Sequence, residues 1–191
     1  VSSKLPSCHN FWSVKKQGDT VNLHLTQRAA DLGLGIHFNI AAYSLMVHLL
    51  SAQTRHPESK EYLRPGKIAH SITDTHIYIG GKNRTDYYKE NIDEIRKGLS
   101  LCKTEKEYFR FGSDLEKKLP AEEKGLELQD HLPHLIKQLS YPINPIKPTV
   151  DLPYKEIRPP YDITKGDFLQ SKDVKINYES SAKRVKLKPA I

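Results

Sequence analysis

The amino-acid sequence predicts an α/β (α+β) fold, because strand-like and helix-like segments follow one another along the chain. Residues 21–27 alternate apolar and polar side chains, as a half-buried strand does. Residues 38–53 repeat apolar side chains every three or four positions, which is typical of a helix. A chain of 191 residues is long enough to form one domain with a hydrophobic core. We therefore expect a single domain over residues 1–191.

Residues 1–29 are predicted to form two strands joined by a turn. The first strand includes residues 11–14 and the second includes residues 21–27. Gly18 and Asp19 lie between them, and this pair is suited to a hairpin turn.

A helix is predicted over residues 38–53, after a loop marked by Gly33 and Gly35. Its apolar side chains recur at three- and four-residue steps, so we expect the helix to be largely buried. These side chains belong to Ile40, Tyr43, Leu45, Met46, Leu49 and Leu50.

A short strand is predicted over residues 68–72, and an extended segment follows it at residues 76–79. Thr73 and Asp74 interrupt the apolar pattern between the two. We therefore expect the strand to be broken at this point.

The second half of the chain has a different composition. Residues 82–140 are rich in Lys and Glu and have weak helical periodicity, which predicts helices on the surface. Residues 141–165 contain six prolines, which exclude helix and favour extended or turn backbone. Residues 174–178 alternate like a strand. We interpret approximately residues 80–165 as a divergent insertion within the domain.

Charge and cysteine content limit the classes of function. The net charge of +7 favours an anionic partner such as a phosphate-bearing ligand or a nucleic acid, although scattered surface lysines give the same value. No apolar run approaches the roughly 20 residues of a membrane span, so no membrane partner is expected. Cys8 and Cys102 have neither the number nor the spacing of a disulfide framework or a metal site. Since the N-terminus also lacks a secretory signal pattern, we expect reduced thiols in an intracellular compartment.

Two residues are suited to nucleophilic chemistry on an anionic substrate. Cys8, within residues 5–9, supplies a thiol whose thiolate attacks electron-poor carbon atoms. Arg28 can bind a phosphate through its planar guanidinium and can favour the thiolate electrostatically. The simpler alternatives are a buried structural cysteine and an arginine that is solvated or paired with Asp31.

Three further residues are suited to a base and a sugar. The carboxamide of Asn39 has both a donor and an acceptor, so it can pair with O4 and N3–H of uracil, whereas Asp would suit cytosine. The alternative role for Asn39 is a helix N-cap. His76 and Tyr78 lie two residues apart on an extended segment and face the same side, so they can hold a sugar hydroxyl. The alternative is a core tyrosine beside a histidine bonded to backbone.

In this order and spacing, the motifs resemble the nucleotide-binding, C-terminal half of the thymidylate synthase family, most strongly over residues 5–79. The resemblance implies that Cys8 attacks carbon 6 of dUMP, whose carbon 5 receives a one-carbon unit from 5,10-methylenetetrahydrofolate to give dTMP and dihydrofolate. It also implies a mixed sheet with packed helices, whose back forms a homodimer interface. No metal is implied.

The resemblance also assigns roles to individual residues of this sequence. Arg28, Ala29, Ala30 and Asp31 would hold the phosphate, with Asp31 also near the base and the folate. Asn39 would read uracil, His76 and Tyr78 would hold the ribose, and His9 would belong to a water network beside Cys8. Gln27 is a further substrate-binding candidate, and Gly35 and Ala190 are folate-binding candidates, with Ala190 in a C-terminal lid.

Several positions depart from the family pattern. Ser7, His37 and Thr73 replace Pro, Pro and Gly respectively, and Ala29 replaces a hydroxyl residue, which removes one phosphate donor. Only seven residues precede Cys8, so the family's N-terminal half, with its folate-facing surface, is expected to come from elsewhere. A fragment and a companion chain both fit this expectation.

Three functions stay open at this point. The first is methylation of dUMP, and the second is hydroxymethylation of a pyrimidine, in which water replaces hydride as the final acceptor. The third is a structural subunit of a larger assembly, because the Lys- and Pro-rich region is suited to docking RNA or protein.

Overall fold

The computed structural model describes residues 7–141, 149–151 and 175–177. These residues form two compact units. The strand unit contains residues 7–30, 36–75, 149–151 and 175–177, and the helical unit contains residues 31–35 and 76–141. Whether the whole chain folds as one domain with an insertion at residues 80–165 stays a prediction.

The predicted hairpin is confirmed. Strand β1 (His9–Gln17) pairs antiparallel with strand β2 (Thr20–Asp31), with Gln17 opposite Thr20. The loop between them is therefore two residues long, and Gly18 adopts a positive φ of 57°, which such tight hairpin turns require.

A third strand, β3 (Arg64–His76), lies next to β2, so the strand order is β1-β2-β3. The Arg64 amide donates to the Asp19 carbonyl at 2.8 Å, and the Leu32 amide donates to the His76 carbonyl at 2.9 Å. Residue numbers rise together along both strands, so β2 and β3 are parallel and the sheet is mixed. The predicted α/β class with a mixed sheet is confirmed.

The break predicted at Thr73 and Asp74 is wrong, because β3 continues through both residues. Both side chains are exposed, so polar residues at these two positions bury no polar group in the core. Hydrogen bonding to β2, which a local pattern does not show, is sufficient to keep the backbone extended.

Helix α1 (Gly35–Gln53) connects β2 to β3 and begins three residues before the predicted start at residue 38. Its Val47 packs with Leu23 and Leu25 of β2 in the core of the strand unit. The prediction that α1 is largely buried is wrong for its first turns, where Phe38 is 72% exposed.

The helical unit contains three helices that pack around a core of their own. They are α2 (Lys82–Leu101), α3 (Glu105–Lys118) and α4 (Leu132–Gln138). This confirms the helices predicted between residues 82 and 140. Ile79, three residues after the end of β3, forms an antiparallel bridge with Asp130. The buried core residues of the unit are Tyr88, Ile95, Leu115, Leu119 and Ile136.

Two short strands complete the described structure. Strand β4 (Thr149–Asp151) pairs antiparallel with β5 (Lys175–Asn177), which confirms the predicted strand at those three positions of the tail. Most of the proline-dense region 141–165 lies outside the described residues. Within the described ranges, no helix combines the length and the apolar character needed to cross a bilayer.

Candidate functional site

The hairpin places Cys8 directly beside Arg28. The Arg28 amide donates to the Cys8 carbonyl at 2.8 Å, and its guanidinium Nη2 lies 3.7 Å from the Cys8 sulfur, within hydrogen-bonding reach for sulfur. Cys8 is half-buried and its thiol is free, while Arg28 is exposed. A thiol and a guanidinium therefore meet in the strand unit.

His9 is anchored to helix α1. Its Nδ1 is hydrogen-bonded to the Tyr43 hydroxyl at 2.9 Å, and the two rings stack with centroids 5.5 Å apart. Periodicity predicts only that Tyr43 is buried, and nothing in the sequence pattern pairs it with His9. The two residues fix the backbone next to Cys8 against α1.

Gln27 is fully enclosed, with 2% of its surface exposed. Its Nε2 donates to the Ala29 carbonyl at 2.8 Å, and its Oε1 accepts from His70 Nε2 at 2.9 Å. Burial, together with the charge of His9, lowers the pKa of His70, which favours the neutral ring. Both ends of the Gln27 amide thus support the strand that carries Arg28.

Ala29 and Ala30 are buried at the end of β2. Little of either residue is therefore accessible to a ligand. The roles predicted for both residues stay predictions.

Asn39 lies on the fifth position of α1, counted from Gly35. The alternative role as an N-cap is therefore wrong, because the helix has already begun. The Asn39 side chain is half-buried and makes no hydrogen bond to any residue in the described parts of the chain. Tyr43, four residues later, lies on the same helix face. Asn39 is thus positioned on the side of α1 that contacts His9.

In the helical unit, the Asp31 carboxylate organises the loop that precedes α1. It accepts amide hydrogens from Gly33 at 3.1 Å, Leu34 at 2.8 Å and Gly35 at 3.2 Å. These bonds satisfy amides that a helix N-terminus leaves without intrahelical partners, which explains the early start of α1. Asp31 is 8% exposed and so retains a small accessible surface.

His76 and Tyr78 lie on the same side of the chain, as predicted. Their ring centroids are 5.3 Å apart with an edge-on geometry, and both side chains are half-buried. The structure therefore brings the two polar heads together, while their contact with a sugar stays a prediction.

Sequence reasoning missed His131, which is completely buried next to these residues. Its Nδ1 lies 3.6 Å from Asp31 Oδ1, its ring meets the Tyr78 ring edge-on at 5.8 Å, and its amide donates to the Tyr78 carbonyl. Pro133 two residues later is a helix-start signal, but no local signal indicates the contact with Asp31, one hundred residues away.

Ala190, the predicted lid residue, lies outside the described residues. Among the residues that the structure describes, no group of three or more His, Cys, Asp or Glu side chains is arranged to hold a metal ion.

Comparison with known proteins identifies the relatives of this chain. The family model described as thymidylate synthase matches residues 1–191. A thymidylate synthase of Haloferax volcanii is 36% identical over 138 residues, which are 72% of this chain and 38% of that protein. A thymidylate synthase of Mycoplasma pneumoniae is 35% identical over 112 residues, 58% of this chain and 36% of that protein. A bifunctional dihydrofolate reductase-thymidylate synthase of Leishmania major is 31% identical over 134 residues, 68% of this chain and 22% of that protein.

Proposed function

Because the chain belongs to the thymidylate synthase family, we propose that it carries the nucleotide-binding residues of an enzyme that converts dUMP to dTMP with 5,10-methylenetetrahydrofolate. The matched region spans 38% of the Haloferax volcanii relative and less of the other two, so the complete activity requires residues beyond those compared. The contact between Cys8 and Arg28 is the single observation that carries the proposal.

Cys8 is the nucleophile of the proposed reaction. Carbon 6 of uracil accepts a thiolate, and addition of the Cys8 sulfur there transfers electron density to carbon 5, which then attacks the one-carbon unit. The folate supplies that unit and the hydride that reduces it to a methyl group. Loss of the carbon 5 proton and departure of the sulfur regenerate Cys8. The mechanism requires a reduced thiol, which favours a reducing compartment.

Arg28 binds the phosphate of dUMP in this proposal. Its guanidinium is exposed and offers several N–H donors in one plane, which match two phosphate oxygens. The same cation, 3.7 Å from the Cys8 sulfur, stabilises negative charge on that atom during addition and departure. Asn39, whose carboxamide has no hydrogen-bonding partner in the described residues, recognises O4 and N3–H of the base.

His76, Tyr78 and Asp31 are the residues proposed to contact the sugar and the folate. His76 and Tyr78 present two polar heads on one side for the 3′-hydroxyl. A carboxylate has about four acceptor positions, and backbone amides of three residues occupy positions on Asp31. His131 Nδ1 also lies 3.6 Å from Asp31 Oδ1. In this proposal, the small exposed part of Asp31 accepts an N–H group of the folate.

Large apolar side chains on the strand unit support a protein partner, either a second copy or a companion chain. Phe11 is 61% exposed, Trp12 is 47% exposed and Phe38 is 72% exposed. Exposed apolar surface of this kind is typical of protein interfaces. Sedimentation of the purified chain measures its mass in solution. A dimer mass supports a second copy as the partner, and a monomer mass supports a companion chain.

Selective binding tests the proposed substrate. Titration calorimetry should show that dUMP binds more tightly than deoxyuridine, which lacks the phosphate, and more tightly than dCMP, which presents a different base edge. Equal affinities for the three ligands would contradict the proposal. With folate added and turnover established, mass spectrometry of the product distinguishes a methyl from a hydroxymethyl group.

A further inference from the structure

His131 lies between two segments of the helical unit that carry proposed ligand contacts. One segment is the loop of residues 31–35, and the other is the end of β3 with residues 76–78. The His131 ring lies 3.6 Å from the Asp31 carboxylate and meets the Tyr78 ring edge-on at 5.8 Å. Its side chain is fully buried, so it contacts no ligand itself.

Gly33 shows how closely the loop is packed on this ring. A β-carbon added to Gly33 would lie less than 2.5 Å from His131 Nδ1, well inside contact distance. The ring thus occupies the space that a side chain at position 33 would take. The His131 ring therefore lies against the loop at Gly33 and at the Asp31 carboxylate, which in turn accepts the Gly33 amide.

Hydrogen bonds also hold the backbone at His131 in place. Its amide donates to the Tyr78 carbonyl at 2.9 Å, and the adjacent Asp130 pairs with Ile79. The Asp130 carboxylate accepts from Tyr88 at 2.7 Å and from Arg84 at 3.0 Å, which ties this point of the chain to α2. Helix α2 thereby helps to hold the backbone at Asp130 and His131 in place.

We propose that His131 is a positioning residue that aligns the loop of residues 31–35 with His76 and Tyr78, so that the sugar contacts of the proposed dUMP site form. The inference rests on the proposed function and adds a residue to it. Small displacements of positioned polar groups weaken ligand recognition strongly. Loss of the ring therefore affects recognition of the 3′-hydroxyl more than it affects recognition of the phosphate.

The test compares dUMP with its 3′-deoxy analogue, 2′,3′-dideoxyuridine monophosphate, by titration calorimetry on folded protein. The wild type should prefer dUMP through the 3′-hydroxyl, and His131→Ala should bring the ratio of the two affinities close to one. His131→Asn, whose Nδ2 replaces the ring Nδ1 beside Asp31, should retain most of the ratio. His134→Ala is the matched control, since this half-buried histidine of α4 lies among Glu116 and Lys137, and it should leave the ratio unchanged.

Gly33→Ala provides a second route to the same displacement while keeping His131. Its new methyl group forces the ring and the loop apart, so it should also lower the ratio, even where His131→Ala folds poorly. A general loss of stability would weaken both ligands equally and leave the ratio unchanged. An affinity ratio that stays at the wild-type value in both His131→Ala and Gly33→Ala overturns this inference and leaves the proposed function standing.

The same titrations separate failure of the inference from failure of the proposed function. A wild type that binds dUMP without distinguishing the 3′-deoxy analogue overturns the sugar contacts and the inference with them. A wild type that binds neither nucleotide overturns the proposed function itself.

Discussion

The guanidinium of Arg28 lies 3.7 Å from the sulfur of Cys8, although twenty residues separate them in the sequence. The pairing of β1 with β2 produces this contact, since the Arg28 amide also bonds to the Cys8 carbonyl at 2.8 Å. Backbone hydrogen bonds hold the two side chains at one end of the hairpin. The hairpin therefore holds a thiol and a guanidinium side by side.

Replacing Arg28 by Ala should weaken dUMP binding by about tenfold or more, because a hydrogen bond to a charged group contributes about 1.5–3 kcal/mol. Arg28→Lys should give an intermediate affinity, since lysine keeps the charge but loses the planar pair of donors. Titration calorimetry measures both values. Arg64→Ala, which removes an exposed arginine paired with Asp19, is the control and should leave the affinity unchanged. An Arg28→Ala variant with wild-type affinity would place the phosphate elsewhere.

Tyr88→Phe should lower the free energy of unfolding by about 1–3 kcal/mol, because it leaves a buried acceptor without one of its donors. The Tyr88 hydroxyl donates to the Asp130 carboxylate at 2.7 Å, and both residues are buried. Burial and the neighbouring Asp130 raise the pKa of Tyr88, so the hydroxyl keeps its proton and stays a donor. Urea denaturation gives the values. Tyr87→Phe, at the preceding position of α2, is the control and should change stability by less than about 0.5 kcal/mol. Equal losses in the two variants would show that the hydrogen bond to Asp130 is not the cause.

Thr104→Ala should cost about 0.5–2 kcal/mol of stability, which is the usual range for loss of an N-cap. Thr104 and Glu107 form a capping box at the start of α3, with the Thr104 amide donating to the Glu107 carboxylate at 2.8 Å. Backbone amides of Lys103 and Thr104 lower the pKa of Glu107. Thermal denaturation should show no comparable loss in Ser113→Ala, a half-buried serine in the interior of the same helix. A neutral Thr104→Ala would mean that α3 does not depend on its cap.

Acidification should destabilise the protein in part through His48. Burial lowers the pKa of His48 below its ordinary value of 6.5, so the unfolded chain binds the proton more readily than the folded chain does. The free energy of unfolding therefore falls as the pH drops below about 6.5. Between pH 7.5 and 5.5, His48→Gln should lose less stability than the wild type in denaturant titrations. A His48→Gln variant that loses as much stability as the wild type over this pH range would contradict the account.

The sequence predicted those parts of the fold in which local chemistry decides the structure. The hairpin follows from alternation in β2 and from the turn at Gly18, and the turn places residues near Cys8 beside residues near Arg28. The same reasoning placed His76 and Tyr78 on one side, because successive side chains of extended backbone alternate. Helix α3 also has a local signal in the sequence, since Thr104 and Glu107 have the spacing of a capping box.

Long-range contacts decided the features that the sequence did not reveal. Thr73 and Asp74 look like a strand end, yet pairing with β2 extends β3 beyond them. Asp31 starts α1 early by binding three amides, which displaces Asn39 from the expected N-cap. His131 reaches Asp31 across one hundred residues, and no pattern of spacing or composition contains that information.

Covalent trapping of Cys8 tests the central claim most directly. We predict that incubation with 5-fluoro-dUMP and 5,10-methylenetetrahydrofolate, in the presence of any partner the site requires, gives one adduct that peptide mass spectrometry locates on Cys8. The adduct should persist in Cys102→Ser, which removes the buried second thiol, and disappear in Cys8→Ala. An adduct that survives Cys8→Ala, or none on the wild type, would contradict the account.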